Sequence, residues 1–555
     1  MSKRIKERKK KEKINKIIFS IAVFLLTVSF IVLGVYYIYT NFFMPRKIES
    51  FFPEEISSLF LIKSNFTTDQ GDKLKKLGLK FGDEKYFQNF LEDLIFPKLR
   101  EQKLDIPDEK IFGWRGNFVA VGNIDVSSIE NSSIFVIQVK NPSLCEEFLK
   151  TLEENLANKG YIISSEEFRG KKVTANRGLS EISYSLYEDY LLVSGKPDGV
   201  KKMIDTAYGK FASVENNSKY FKMKKKLSED DSVVFSYFDP LKLARVIPIL
   251  DQSNFNPIEK IGFKDPELRM GISFIPSEKG IEARIYNRNT YNKNAKGVGK
   301  NLKFSKKIPA NALLYLEGRD IEPFLENILL EQDETEDPEI AIKAMKKLIE
   351  LETNLDLDED LFQYLDENYA FYMLPSSNKE RLDTAMLFEA NNLQKLKGKI
   401  GKIEIAILGL MQKSAIAEDM KDRTFTDHDY QNISYRYLNL PDSWRIDLVL
   451  GIIEEYFFLT TSEEAARNAI DVILERMPKT LSESSNFKSS YALSKDKDSD
   501  IFFFGDVQEF TKYMTNHLDF TYEDLDQKFK VLETLNLTKE EKTRENYYNL
   551  FLKVR

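Results

Sequence analysis

Cysteine and histidine are nearly absent from this chain of 555 residues. It has one cysteine, Cys145, and two histidines, His428 and His517. A single cysteine cannot close an internal disulfide, which excludes a disulfide-stabilised scaffold. Neither histidine has another metal-ligating residue three or four positions after it, so soft and borderline metals lack ligands. The sequence therefore predicts no metal site and no cofactor, and we expect Cys145 to be a packed side chain.

Motifs of the common enzyme classes are missing as well. The chain has no Gly-x-Ser-x-Gly and no His-Glu-x-x-His sequence, and Gly297-Val-Gly-Lys300 occurs without the other residues of a phosphate-binding loop. His428 lies in a polar stretch before a predicted strand. His517 is predicted to end a helix, where a cation interacts favourably with the helix dipole. We therefore predict no catalytic residue, no cofactor-binding residue and no enzymatic activity. The residues that bind a partner stay unknown.

Charge is absent from one long stretch near the start of the chain. Residues 17–40 are 24 residues without a charged side chain, preceded by nine basic and two acidic residues within residues 1–16. Such a run is long enough to cross about 30 Å of hydrocarbon, and a basic flank stays in the cytoplasm. We expect a cytoplasmic tail over residues 1–16, a transmembrane helix over 17–40 that acts as an uncleaved signal anchor, and a tether over 41–51.

The remainder of the chain is then extracytoplasmic, at the cell envelope. Without the tail it holds 72 basic and 86 acidic residues, a net charge of −14. A surface with this balance repels nucleic acid, so we exclude nucleic acid as a partner. The expected partner in the membrane is the bilayer itself, contacted through the N-terminal helix.

One stretch of the sequence occurs twice. Residues 187–222 align without a gap to residues 453–488. Each copy has an apolar strand followed by a helix whose apolar residues repeat with a period of 3.6. Thr461 and Glu464 have the spacing of a capping box, and Pro197 suits the first turn of a helix. The identical pairs are Glu188/Glu454, Tyr190/Tyr456, Ile204/Ile470, Asp205/Asp471, Ser218/Ser484, Phe221/Phe487 and Lys222/Lys488.

The duplication extends over most of the chain. Strand and helix patterns recur in the same order over residues 52–288 and 308–555, and residues 289–307 have the Asn, Gly and Lys content of a linker. Each unit interleaves antiparallel strands with helices. The predicted fold class is therefore α+β: an N-terminal transmembrane helix followed by two tandem, diverged α+β repeats with antiparallel sheets. The sequence leaves open whether the two repeats form one joined sheet or separate lobes, and it leaves the oligomeric state open.

Several short segments carry a resemblance to a known family. They are Pro309-Ala-Asn-Ala-Leu-Leu-Tyr-Leu-Glu, Leu355-Asp-Leu-Asp-Glu-Asp-Leu-Phe, Phe168-Arg-Gly-Lys-Lys-Val, Tyr190-Leu-Leu-Val-Ser, Ser218-Lys-Tyr-Phe221 and the apolar strands that end at Asp239 and Asp506. With these segments the chain resembles the bacterial membrane-anchored family of domain of unknown function 3352. The resemblance implies an exported, anchored α+β protein and carries over no catalytic residue. The second copy departs from it at Tyr430-Gln-Asn-Ile, where the glycine of Phe168-Arg-Gly is missing.

Acidic residues recur at equivalent places in both copies. Asp356, Asp358, Asp360 and Glu367 have the spacing of a calcium loop, but Leu361 stands where that loop needs glycine. The first copy has Pro107 and Gly116 in place of two ligands. We therefore predict helix caps, for the pairs Asp105/Asp356 and Asp239/Asp506, in place of metal ligands.

These patterns favour a membrane-anchored, extracytoplasmic protein that binds or scaffolds without catalysis. Its protein or lipid partner stays unknown. An alternative is a carrier or sensor of lipid or another apolar ligand, suggested by 41 Phe and 26 Tyr residues. Those aromatics also suit ordinary cores between sheet and helices. An enzyme with an unrecognised site is the third possibility, for which the sequence gives no positive sign.

Overall fold

A computed structural model describes residues 46–555 except 64–67, 82–112, 124–132, 178–181, 228–231, 240–268, 289–301, 320–337, 378–380, 413–419, 421, 442–445, 495–498, 518–530 and 543–544. Residues 17–40, predicted as a transmembrane helix, lie outside this set. Among the residues inside it, no helix combines the length and the apolar character needed to cross a membrane.

The first repeat consists of ten strands and four described α-helices. The strands are β1 (Ser58–Lys63), β2 (Arg115–Asn123), β3 (Ser133–Val139), β4 (Ile162–Phe168), β5 (Lys171–Arg177), β6 (Ile182–Tyr187), β7 (Tyr190–Ser194), β8 (Val234–Phe238), β9 (Arg269–Ser277) and β10 (Gly280–Arg288). The helices are α1 (Thr68–Lys80), α2 (Pro142–Asn158), α3 (Pro197–Ala207) and α4 (Ser218–Lys226). A short 3-10 helix over Ile48–Phe51 precedes them.

The second repeat has the same order of strands. They are β11 (Leu314–Arg319), β12 (Leu365–Pro375), β13 (Leu382–Ala390), β14 (Thr426–Tyr430), β15 (Ile433–Leu438), β16 (Leu448–Ile453), β17 (Tyr456–Thr460), β18 (Ile501–Gly505), β19 (Leu532–Lys542) and β20 (Glu545–Val554). Its α-helices are α5 (Pro338–Thr353), α6 (Leu357–Asp360), α7 (Leu393–Gln412), α8 (Glu463–Ile473), α9 (Ser485–Tyr491) and α10 (Val507–His517).

The predicted fold class, two α+β repeats with antiparallel sheets, is wrong in the number of sheets, because the described strands form one antiparallel sheet of 20 strands. This also answers the question, left open by the sequence, of whether the two repeats are joined. Across it the order is β4-β5-β6-β7-β3-β2-β1-β8-β9-β10, then β20-β19-β18-β11-β12-β13-β17-β16-β15-β14. The last strand of each repeat pairs with the other, so the repeats meet in the middle of the sheet. Sequence patterns cannot predict this pairing, since a strand's alternation does not identify its neighbour.

The β10–β20 pairing has an approximate twofold symmetry. Gly280 lies opposite Lys553, and Arg288 lies opposite Glu545, so each strand begins where the other ends. The axis of such an antiparallel pair is perpendicular to the sheet. Equivalent helices of the two repeats therefore lie on the same face: α3 and α4 with α8 and α9, and α2 with α7 on the opposite face.

Helices on both faces bury apolar cores against the sheet. The predicted apolar stripe of α3, formed by Val200, Met203, Ile204 and Ala207, lies in a core with Tyr190, and α8 forms the matching core with Tyr456. On the opposite face, α2 packs Cys145 into a core of its own, which confirms the prediction for that cysteine. Burial raises the pKa of the Cys145 thiol to about 12.

One predicted equivalence between the copies is wrong. Helices α3 and α8 begin at residues 197 and 463, 266 positions apart, whereas α4 and α9 begin at 218 and 485, 267 positions apart. The gapless alignment therefore slips by one residue in the loop between these helices. Phe487 is buried at 4% exposure, but Phe221 is 58% exposed. Tyr220, at 1% exposure, takes the place of Phe487 and likewise packs edge-on against aromatic rings of the sheet.

The predicted capping box of Thr461 and Glu464 is also wrong, because the N-cap lies one position later and Ala465 stands at the third helical position. Ser462 is the N-cap of α8, and its side chain accepts a hydrogen bond from the backbone N–H of Ala465. Thr461 instead accepts from the N–H of Thr384 in β13, with its Oγ1 at 2.8 Å. The carboxylate of Glu464 accepts from Ser377 in the turn between β12 and β13. The first turn of α8 is thus fixed to the sheet by contacts that sequence spacing cannot predict.

Candidate binding site at the second edge of the sheet

Strand β14 is one of the two outermost strands of the sheet, and its hairpin with β15 positions the candidate site. The turn places Gln431 and Asn432 in the left-handed region, at φ 56° and 68°. The first copy has the same geometry at Arg169 and Gly170, at φ 50° and 72°. Asparagine tolerates this conformation better than most residues, so the missing glycine leaves the turn unchanged.

Glu463, in the first turn of α8, is the centre of the site. Its Oε1 accepts a hydrogen bond from the Tyr435 hydroxyl at 2.7 Å and lies 2.8 Å from His428 Nδ1. Its Oε2 lies 3.1 Å from the Arg467 guanidinium. Partial burial alone would raise the pKa of Glu463, but the bonds from Tyr435 and His428 and the charge of Arg467 outweigh it and lower the pKa. The carboxylate is therefore ionised and fully bonded at neutral pH.

His428 belongs to β14, whereas the sequence predicted a polar stretch before the strand. Its ring stacks on Tyr437 with centroids 4.7 Å apart and an interplanar angle of 26°. The side chain is half-buried between that ring and Glu463. Burial, together with the Asp447 carboxylate, raises the pKa of Tyr437 to about 12, so its hydroxyl stays protonated. The contacts with Tyr437 and Glu463 thus fix the orientation of the His428 imidazole on the outer strand.

A second layer of contacts runs further along α8. The Arg467 guanidinium lies 5.4 Å from the centre of the Tyr430 ring. The Tyr430 hydroxyl donates to Asp471 Oδ2 at 2.9 Å. Cation–π contacts of this kind stabilise by about 0.5–1 kcal/mol at exposed sites. They tie the hairpin to α8 and hold the aromatic surface of β14 and β15 in place.

Comparison with the first repeat shows which contacts of this region occur in both copies and which occur only in the second. There, Lys201 lies over the ring of Phe168 as Arg467 lies over Tyr430. Asp205 accepts from Arg169 as Asp471 accepts from Tyr430. The cation–π contact and the hydrogen-bonded aspartate are therefore common to both copies, although only Asp205 is fully buried.

The carboxylate cluster itself is not shared. Strand pairing makes Glu166, Val173 and Ala175 the equivalents of His428, Tyr435 and Tyr437, and Pro197 stands at the position of Glu463. The fold forms without the His428–Glu463 pair in the first repeat. Sequence reasoning missed this pair because its members are 35 positions apart and no local spacing relates them.

The acids predicted as caps are placed as follows. Asp356 caps α6 by accepting from the N–H groups of Asp358 and Glu359, which confirms that prediction. Asp506 accepts from the N–H of Glu509 at the start of α10, which confirms the second. Asp239 forms an ion pair with Arg269 at 3.2 Å. Asp105 and the helix predicted after Asp239 lie outside the described residues.

The calcium-like spacing brings together no cation site in the part of the chain that the structure describes. Asp360 binds Lys399 and Lys402 through its two carboxylate oxygens. Burial would raise its pKa, but those two hydrogen bonds hold the pKa at about 2. No group of three or more His, Cys, Asp or Glu side chains among the described residues could hold a metal ion. His517 is the last residue of α10.

Comparison with known proteins gives a family and little more. A family model described as a protein of unknown function, DUF3352, matches residues 111–554. No curated protein matches the chain. Crystal forms I and III of TP0453 are similar over 45% of this chain and 82% and 83% of theirs, at 10% and 9% identity and TM-scores of 0.25 and 0.26. Scores this low support no inference about fold or function.

Proposed function

The chain belongs to the DUF3352 family, and we propose that it is a non-enzymatic scaffold of the cell envelope that binds a partner protein along β14. The observation that carries this proposal is the position of β14. It pairs with β15 on one side, and no described strand pairs with its other side. An edge strand presents unpaired N–H and C=O groups, to which an extended segment of another chain can add as a further strand.

The side chains of β14 support a specific kind of partner. Asp427 and Asp429 are exposed and acidic, and they point to the face opposite His428, whose ring is held by Glu463 and Tyr437. Asp427 also forms an ion pair with Arg436. Main-chain pairing supplies affinity in this mode of recognition, and alternate side chains supply specificity. We expect an extended segment with lysine or arginine opposite the two aspartates.

The absence of catalysis is part of the proposal. A general base works best with a pKa near the operating pH. Glu463 has a lowered pKa and three bonded partners, so its carboxylate is a poor proton acceptor at neutral pH. Its role is to orient the side chains that it bonds. The site thus suits binding.

Attachment to a membrane through residues 17–40 completes the proposal, with residues 1–16 in the cytoplasm and the sheet outside. It is supported by the uncharged run and its basic flank. Protease added to cells with a permeable outer layer should then degrade the bulk of the chain. Full protection would contradict this topology.

The lipid-carrier alternative gains no support from the aromatics of the second core. Phe487 packs against Phe504 and Tyr491, with centroids 5.3 and 5.9 Å apart. These rings fill space between sheet and helix, as core residues do. Native mass spectrometry of the extracted full chain would favour the alternative if it showed a stoichiometric lipid.

Site-specific photo-crosslinking of the full chain tests the edge. A photoreactive residue at Asp429 should give one discrete protein adduct in native envelopes. The matched control is Lys397, which is exposed on α7 and does not belong to the edge strand. His428→Ala should weaken the adduct at Asp429 without lowering the melting temperature greatly. The same adduct from both positions, or none from Asp429, would contradict the proposal.

A further inference from the structure

Helix α4 has an exposed face that combines lysines with an aromatic ring. The face consists of Ser218, Phe221, Lys222 and Lys225, and we call it the α4 stripe. These positions follow the i, i+3, i+4, i+7 spacing of one side of a helix. Phe221 is 58% exposed and lies next to the two lysines. An exposed phenylalanine flanked by lysines is typical of surfaces that contact lipid headgroups.

The second repeat shows that the fold does not require this stripe. Helix α4 reads SKYFKMKKK, with five lysines, whereas α9 reads SNFKSSY, with one. Lys488 of α9 stands at the position of Phe221, because Phe487 is the equivalent of Tyr220. Both helices bury an aromatic ring at the same position, Tyr220 in α4 and Phe487 in α9. The additional lysines and the exposed ring of α4 are therefore not required for the helix to pack on the sheet.

The stripe lies beside the start of the folded chain. Glu49, in the 3-10 helix over Ile48–Phe51, is buried, forms an ion pair with Lys224 and accepts from the Tyr220 hydroxyl. Only residues 41–45 separate the folded chain from the uncharged run, and five residues reach at most about 18 Å. Helix α4 is therefore held close to whatever surface that run enters.

We propose that the α4 stripe docks on the surface of an anionic lipid bilayer. Phe221 enters the headgroup region, and Lys222 and Lys225 contact lipid phosphates. The inference rests on the membrane attachment proposed above and adds an orientation to it: the face with α3 and α4 lies toward the bilayer. The exported part is acidic overall, so a local basic surface is needed for such contact. Each lysine near an anionic surface favours docking by about fivefold, which corresponds to about 1 kcal/mol.

An environment-sensitive fluorophore on the full chain tests the docking. NBD is attached at Phe221→Cys, and at Ile405→Cys as the control, because Ile405 is an exposed apolar residue of α7 on the opposite face. Native Cys145 is buried and rarely a thiolate, so it stays unlabelled. The chain is reconstituted into vesicles of phosphatidylcholine and into vesicles of phosphatidylcholine with phosphatidylglycerol.

The expected result is a blue-shifted, brighter emission at position 221 in the phosphatidylglycerol vesicles only. Position 405 should stay unchanged. The double substitution Lys222→Glu with Lys225→Glu should reduce docking by at least about 25-fold. High salt should also reduce docking, because it screens the attraction between the lysines and the lipid phosphates. Equal emission in both vesicles, or a matching shift at position 405, would overturn the inference.

Flotation separates this inference from the attachment on which it rests. Vesicle-bound chain without a shift at position 221 would overturn the docking alone. A chain that fails to float with either vesicle would overturn both. Both lysines are exposed, so the charge-reversed chain should melt at an unchanged temperature, which controls for misfolding.

Discussion

Arg284 and Asn549 lie opposite each other at the centre of the β10–β20 pairing, where the two repeats meet. Both side chains donate to the same buried carboxylate, since Glu282 Oε1 lies 2.8 Å from Arg284 Nε and 3.1 Å from Asn549 Nδ2. Lys226 of α4 also crosses the junction to bind Glu545. The junction is thus a paired edge with its own polar contacts, and separating the repeats would expose both strands.

Separate expression of residues 46–288 and 302–555 should give two folded proteins that associate through these edges. The twofold geometry lets each strand pair with a copy of itself. In the second half Asn549 would face Asn549 and Glu545 would face Lys553, whereas the first half would place Arg284 opposite Arg284, which is unfavourable. We expect the second half to dimerise more strongly. Sedimentation of each half measures this, and Asn549→Arg should weaken the dimer of the second half.

Phe487→Ala should lower the free energy of unfolding by about 3–5 kcal/mol, because it empties a buried site among aromatic rings. Phe221→Ala should change it by no more than about 0.5 kcal/mol, since that ring is exposed. Urea unfolding of both variants, with Tyr220→Ala as a third, checks the one-residue slip between the copies. Similar losses for the two phenylalanines would show that the slip is wrong.

Glu317 should make stability fall as pH rises. Burial, opposed by hydrogen bonds from Tyr315 and from the N–H groups of Lys303 and Phe304, raises the pKa of Glu317 from 4.5 to about 7. The folded state then binds more protons than the unfolded state between these values, so stability declines from about pH 4.5 to about pH 7, by on the order of 3 kcal/mol.

Melting as a function of pH measures this decline. Glu317→Gln should remove that component of the pH dependence, at the cost of one hydrogen bond to the backbone. Glu475→Gln is the matched control, because the Glu475 side chain is 85% exposed. An unchanged pH profile in Glu317→Gln would show that another group is responsible.

Asp360→Asn should destabilise the chain by about 1–2 kcal/mol, because it weakens two charge-assisted hydrogen bonds. The pKa of Asp360 is lowered to about 2, so its stabilising contribution is present above the ordinary value of 3.8 and is lost as pH falls toward 2.

We expect melting of the native chain to be the same with calcium as with a chelator. A calcium-dependent rise in melting temperature that is lost in Asp356→Ala would show that this loop binds calcium.

Local interactions made much of this protein predictable from its sequence. The apolar stripes of α3 and α8 and the caps at Asp356 and Asp506 depend on residues a few positions apart, and the structure confirms them. Family membership likewise followed from short motifs. Such features are encoded by spacing within one helix or strand, and the sequence displays that spacing directly.

The tertiary structure decided what depends on distant residues. Joining of the two sheets requires β10 to meet β20, which begins 265 positions later, at residue 545 against residue 280. The His428–Glu463 pair, the cap at Ser462 and the exposure of Phe221 also depend on how a hairpin, a loop and a helix dock on the sheet. Periodicity identifies which residues share a face of a helix or strand. Only packing determines whether that face contacts another element or the solvent.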